Sequence, residues 1–158
     1  MDEGTEFGGN EQWQTSVRSC PSNVAFRGRD HYDVLMNFLL VFLGGGIGAS
    51  ARYGLQGVVY RVTGANFPYG TLVVNVLGSF IIGFLMTFFE ERFLVNPSLR
   101  VFLAIGILGG FTTFSSFSYE TMVMFRDGSY GLGILNVATS VLLCLGASWL
   151  GIIGGKLL

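Results

Sequence analysis

Apolar residues fall along this chain in four long runs separated by short polar breaks. The first, residues 36–60, begins Met36-Asn37-Phe38-Leu39-Leu40 and contains one charge, Arg52. The second, 68–89, opens at Pro68, a residue suited to the first turn of a helix because its missing N–H would be unpaired there anyway. Glu90, Glu91, Arg92, Asn96, Pro97 and Arg100 then mark an aqueous loop. The third run, 101–125, ends at Arg126-Asp127-Gly128, and the fourth, 131–153, has Lys156 just beyond it. A helix crossing the hydrocarbon core needs about 20 mostly apolar residues. The pattern therefore predicts an all-α integral membrane protein of four transmembrane helices, multi-pass in the plasma or inner membrane. No loop is large enough for a catalytic domain.

Residues 1–35 break this pattern. They mix glycine, asparagine, serine and charge without periodicity, hold nine of the 19 charged residues, and predict a disordered segment. They contain no apolar run long enough for a signal-peptide core and are too acidic for a transit peptide. Met36 is expected to be the natural start, with a genuine disordered tail as the alternative. A net charge of −1 leaves no footprint for nucleic acid. Cys20 and Cys144 form no metal or disulfide pattern, and His31 is expected to be solvated rather than a ligand.

Charge gives little guide to orientation. From residue 36 onward, one side of the membrane receives Arg92, Arg100 and Lys156, and the other Arg61 and Arg126. With Arg52 inside the first span, a count of three against two, or three against three, lets a chain insert both ways and pair antiparallel with itself. Spacing of small residues adds to this picture. Gly44 and Gly48, followed by Ala49 and Ala51, and later Gly151 and Gly155, sit four apart, where they let helix backbones approach closely. Four spans are few to enclose a pathway, so a homodimer is expected.

The third run carries the densest chemistry. Residues 106–120 read Gly-Ile-Leu-Gly-Gly-Phe-Thr-Thr-Phe-Ser-Ser-Phe-Ser-Tyr-Glu. Adjacent glycines and clustered hydroxyls near mid-membrane predict a break in the helix at Gly109-Gly110, which must then be buried in protein or line a polar cavity. Carbonyls released there could hold a cation, and the following half-helix would present N–H groups and a positive dipole end. Phe114 and Phe117 share a face, either as ordinary packing aromatics or as positive ring edges turned to an anion. Ser116 and Glu120 line a neighbouring face. A carboxyl inside a span points to function: it could donate a hydrogen bond when protonated or anchor a row of hydroxyls, unless it is interfacial. On the second run, Asn75 and Ser79 are four apart, and the Asn75 amide could serve an anion or a neighbouring helix. Asn136 and Ser140 repeat that spacing on the fourth run in an expected structural role. Arg52 could draw anions into a vestibule or snorkel to the interface.

Gly45-Gly46-Ile47-Gly48-Ala49-Ser50-Ala51-Arg52-Tyr53, Asn75 with Gly78-Ser79, and Gly109-Gly110-Phe111-Thr112-Thr113-Phe114-Ser115-Ser116-Phe117 together resemble the signatures of the Fluc/CrcB fluoride channels. The resemblance covers essentially residues 36–158, and residues 1–35 match nothing in that family. It implies a dual-topology antiparallel homodimer with two pores that exports fluoride passively. By that resemblance, Phe114 and Phe117 would line each pore by their ring edges, and Asn75 would be the pore amide. Ser115, Ser116 and Glu120 would form a polar track, and Arg52 a basic vestibule residue. The carbonyls of Gly109 and Thr112 from both subunits would hold a structural sodium ion that is not transported.

The main rival is a proton-coupled small multidrug exporter, also a dimer of four-span chains. That mechanism places its membrane carboxylate in the first helix, where this chain has Arg52 and no acid within 36–60. A packing subunit without transport would leave the glycine and hydroxyl cluster unexplained. An enzyme is not expected, since the core shows no nucleophile set, metal cluster or phosphate loop.

Overall fold

A computed structural model describes residues 31–64, 66–91 and 96–157. Four helices in it are long and apolar enough to cross a membrane, spanning Tyr32–Thr63, Tyr69–Glu90, Pro97–Arg126 and Tyr130–Leu157. Helix α1 is His31–Thr63 and α2 is Tyr69–Glu91. The third span contains two helical pieces, α3 over residues 97–111 and α4 over Phe114–Arg126, and α5 is Tyr130–Leu157. The described residues form an all-helical, multi-pass membrane protein.

Side-chain exposure is the reverse of that in a soluble domain. Buried apolar side chains among the described residues are Phe67, Val74, Phe89 and Leu108, while Phe38, Phe42, Leu142 and Trp149 stand on the outside. The interior instead collects Thr71, Thr87, Thr113, Thr121, Asn136 and Ser140. Lipid gives apolar side chains nothing to flee, so close packing and internal hydrogen bonds hold the helices together.

Glycines supply that close packing. A side chain at Gly83 would meet the Ser148 carbonyl, one at Gly151 the Phe80 carbonyl, and one at Gly155 the Phe84 carbonyl. From Phe80–Gly151 to Phe84–Gly155 both chains advance by four residues, so α2 and α5 run parallel and backbone to backbone. Likewise α1 runs parallel to α3, with Gly44 against Phe102 and Gly106, and Gly48 against Ile107. Both glycine pairs singled out by spacing thus lie at helix contacts. Between α4 and α5, Asn136 Nδ2 donates to Thr121 Oγ1 at 2.9 Å, with both residues buried, in keeping with a structural role for Asn136.

Several boundaries differ from the sequence-based expectation. Helix α1 already includes residues 31–35, which are helical rather than disordered; the reading of 1–30 lies outside the described residues. At about 1.5 Å per residue, its 33 residues are longer than the roughly 30 Å hydrocarbon core requires. The third span begins at Pro97, within the stretch read as loop, because the Asn96 side chain accepts the Ser98 N–H at 2.9 Å and Pro97 takes the first helical position. Gly128, at φ 77°, closes α4 in the left-handed conformation that favours glycine.

Candidate anion groove at the third-span interruption

Helix α3 is unusual before it ends. Val101–Leu108 winds in wide turns with i→i+5 bonding, and Gly109 N–H still reaches back to the Ala104 carbonyl. The chain then leaves helical dihedrals at Thr112 (φ −78°, ψ 156°) and Thr113 (φ −150°, ψ 108°), and resumes at Phe114. This corrects the expected position of the break: Gly109-Gly110 is helical. Those glycines serve proximity instead. Gly110 packs on the Gly45 backbone, where a side chain would collide, and Gly109 faces an open groove.

Side chains stabilise the two extended residues. Asn75 clamps the Thr113 peptide unit from both sides, its Nδ2 donating to the Thr113 carbonyl at 3.0 Å and its Oδ1 accepting the Thr113 N–H at 2.8 Å. Arg52 Nη1 donates to the Thr112 carbonyl at 3.3 Å. The Thr112 hydroxyl and N–H both return to the Leu108 carbonyl at 3.0 Å, closing the last turn of α3. Gly78 leaves room for the Thr112 methyl group, which a side chain there would strike. Thr113 then caps α4: its Oγ1 accepts the Ser116 N–H at 3.3 Å and lies 3.2 Å and 3.0 Å from the Ser115 and Ser116 hydroxyls. An interrupted backbone at this depth needs all these partners, since lipid supplies none.

Beside the interruption lies a groove of about 460 Å³. Asn75, Gly109, Thr112, Phe114 and Phe117 all line it. The Phe114 and Phe117 rings are tilted at 47° with centroids 5.4 Å apart. Phe114 is 78% exposed, so its edge is available to whatever occupies the groove or covers it. Asn75 spends one Nδ2 hydrogen on Thr113 and keeps a second.

The other expected site residues stand apart from this lining. Ser115 and Ser116 gather around the Thr113 hydroxyl, and Arg52 sits behind the interruption on the Thr112 carbonyl. Glu120 belongs to a separate polar cluster. Its Oε1 accepts the Thr71 hydroxyl at 2.8 Å and the Tyr60 hydroxyl at 3.4 Å, and Gln56 Nε2 donates to Thr71 Oγ1 at 3.2 Å. The remaining oxygen, Oε2, is buried without a partner among the described residues. Thr71, Tyr60, Gln56 and Thr113 were not picked out from the sequence. Thr71 had a usable signal, one helical turn before Asn75 on the same face. Tyr60 and Gln56 had none, because their partners are remote in sequence.

A family model described as "CrcB-like protein, Camphor Resistance (CrcB)" matches residues 39–152. The protein of Geotalea daltonii named "Fluoride-specific ion channel FluC" is 50% identical over 119 residues, covering 74% of this chain and 96% of its own length. Its namesake in Magnetococcus marinus is 49% identical over 123 residues, covering 78% and 100%. That of Opitutus terrae is 52% identical over 116 residues, covering 72% and 88%. With most of the four-span region matched at this level, and the third-span motif lying within it, the chain belongs to the CrcB family, the Fluc group among membrane proteins.

Proposed function

We propose that this chain is a fluoride-selective channel through which cytoplasmic fluoride leaves passively, and that it works as an antiparallel, dual-topology homodimer in the plasma or inner membrane. The observation that carries the reading is the Asn75 clamp at Thr112-Thr113, which sets Asn75, Phe114 and Phe117 around one groove in a chain whose relatives bear the name of fluoride channels.

Fluoride is small and strongly hydrated, so a pore must replace its water with donors at close range. The free Asn75 N–H and the positive edges of Phe114 and Phe117 can do this. Weak, distributed contacts of this kind bind the ion without trapping it. One chain provides only one side of the groove, which is why a second copy belongs to the reading. The near-even charge of the loops permits the two insertions an antiparallel pair requires. Ser115, Ser116 and Glu120 extend the polar surface beyond the groove, and Arg52 adds positive charge near it. For the cell, such a channel opposes acid-driven loading, in which neutral HF enters, ionises and is held as the anion.

A structural sodium ion fits the donor chemistry at the interruption. In an unbroken helix, the Thr113 N–H would bond to the Gly109 carbonyl; here it goes to Asn75, leaving that hard oxygen for another partner. The Gly109 and Thr112 carbonyls would hold the ion, with the same pair from a second chain, and Arg52 would share the Thr112 oxygen. Bound there, its charge would offset that of a nearby anion. The multidrug exporter reading gains nothing from the structure, because Glu120 lies in the third span, engaged by Thr71 and Tyr60, and does not line the groove.

The test is efflux from liposomes loaded with fluoride or chloride, followed with ion-selective electrodes. Rapid fluoride release with chloride retained is expected. Equal release of both ions would remove the selectivity, and no release of either would remove the channel.

A further inference from the structure

The groove continues beyond Asn75 and the phenylalanines to a stretch of α5 that contributes Ser140 and Cys144. These residues are one turn apart on one helical face. Cys144 is a free, half-buried thiol. Ser140 is only 7% exposed, yet its hydroxyl has no hydrogen-bond partner among the described residues. An unpaired hydroxyl on a groove wall, in a side chain otherwise enclosed, is an open donor for a polar group entering that groove.

We propose that Cys144 is a covalent modification site within the anion groove, and that an anionic group attached to its sulfur shuts the fluoride path. The proposal rests on the channel reading above for its effect, and on Cys144 and Ser140 alone for its chemistry. The ligand class is a small thiol-directed electrophile bearing a negative charge. With a sulfonatoethyl methanethiosulfonate, the Cys144 thiolate attacks the sulfenyl sulfur and a disulfide forms. The S–SO₂ bond breaks, methanesulfinate departs with the electron pair, and the thiol proton goes to buffer. The tethered sulfonate then occupies the groove within reach of the Ser140 hydroxyl. There it fills the volume and opposes a second negative charge in a setting of low dielectric. A trimethylammonium adduct of similar size fills the space without that repulsion, so adduct charge separates an electrostatic block from a merely steric one.

The experiment uses full-length protein with Cys20→Ser in liposomes, each variant scored against its own untreated fluoride efflux, and adducts are counted by intact mass. The sulfonate reagent is expected to add once and to slow fluoride efflux about tenfold or more, with the ammonium reagent slowing it markedly less. Adding Cys144→Ser should abolish both the adduct and the slowing. A stoichiometric adduct with unchanged efflux, no adduct on the folded protein, or equal slowing by both charges would overturn the proposal. Absence of fluoride efflux before treatment would instead overturn the channel reading, and adduct mass would still decide whether the groove admits the reagent.

Discussion

The contact between α2 and α5 and the interruption in the third span solve opposite problems. Along α2 and α5, Gly83, Gly151 and Gly155 bring two uninterrupted helices together, whose middle turns bond within their own backbones. At Thr112-Thr113 the backbone is opened instead, and its polar groups are satisfied by side chains from other helices, Asn75 and Arg52. The first region gains from having no side chains where helices touch. The second depends on particular side chains at particular atoms. Substitutions in the closed contact should therefore register as lost stability, and those at the interruption as lost conduction.

Four substitutions sharpen that contrast. Gly48→Leu should have the largest consequence: even a Cβ there overlaps the Ile107 carbonyl, so α1 must separate from α3. No monodisperse protein should elute in detergent. Phe114→Ile keeps bulk but removes a ring edge from the groove, and fluoride efflux should fall about tenfold at parent-like stability. Gly151→Val forces α5 off the Phe80 carbonyl and should cost about 1–3 kcal/mol, read as a lower unfolding midpoint in detergent. Asn136→Ala removes one buried interhelical bond to Thr121, worth about 0.6 kcal/mol and at most about 1.7, so its midpoint should fall least. A large conduction loss in Gly151→Val with intact stability would erase the contrast.

The four spans were legible because membrane helices announce themselves by length and apolar content, and the glycine contacts because their spacing of four matches a helical face. The ends of the spans were less so: residues 31–35 and Pro97 lie in polar sequence yet are helical, and only local capping, as at Asn96, extends the third helix into it. Of the site, Asn75, Phe114 and Phe117 stood out as polar or aromatic groups in a hydroxyl-rich setting, and the structure gathers them at one groove. The position of the interruption was misread. Adjacent glycines are the obvious place for a helix to break, but here Gly110 is needed for contact with Gly45, and the break falls where Asn75 can hold the Thr113 peptide. Such a clamp joins residues 38 positions apart, so no local pattern reports it. The same holds for the Gln56, Tyr60 and Thr71 cluster around Glu120.

Fluoride efflux from liposomes bearing Asn75→Asp tests the central claim most directly. This change removes the Nδ2 donor that holds the Thr113 carbonyl and places a carboxyl on the groove lining. Ionised, that carboxyl would stand about 4 Å from the ion and oppose it by about 4 kcal/mol at an effective dielectric of about 20. The account predicts a protein that elutes like the parent and releases fluoride at least about a hundredfold more slowly. Parent-like efflux from Asn75→Asp would contradict it.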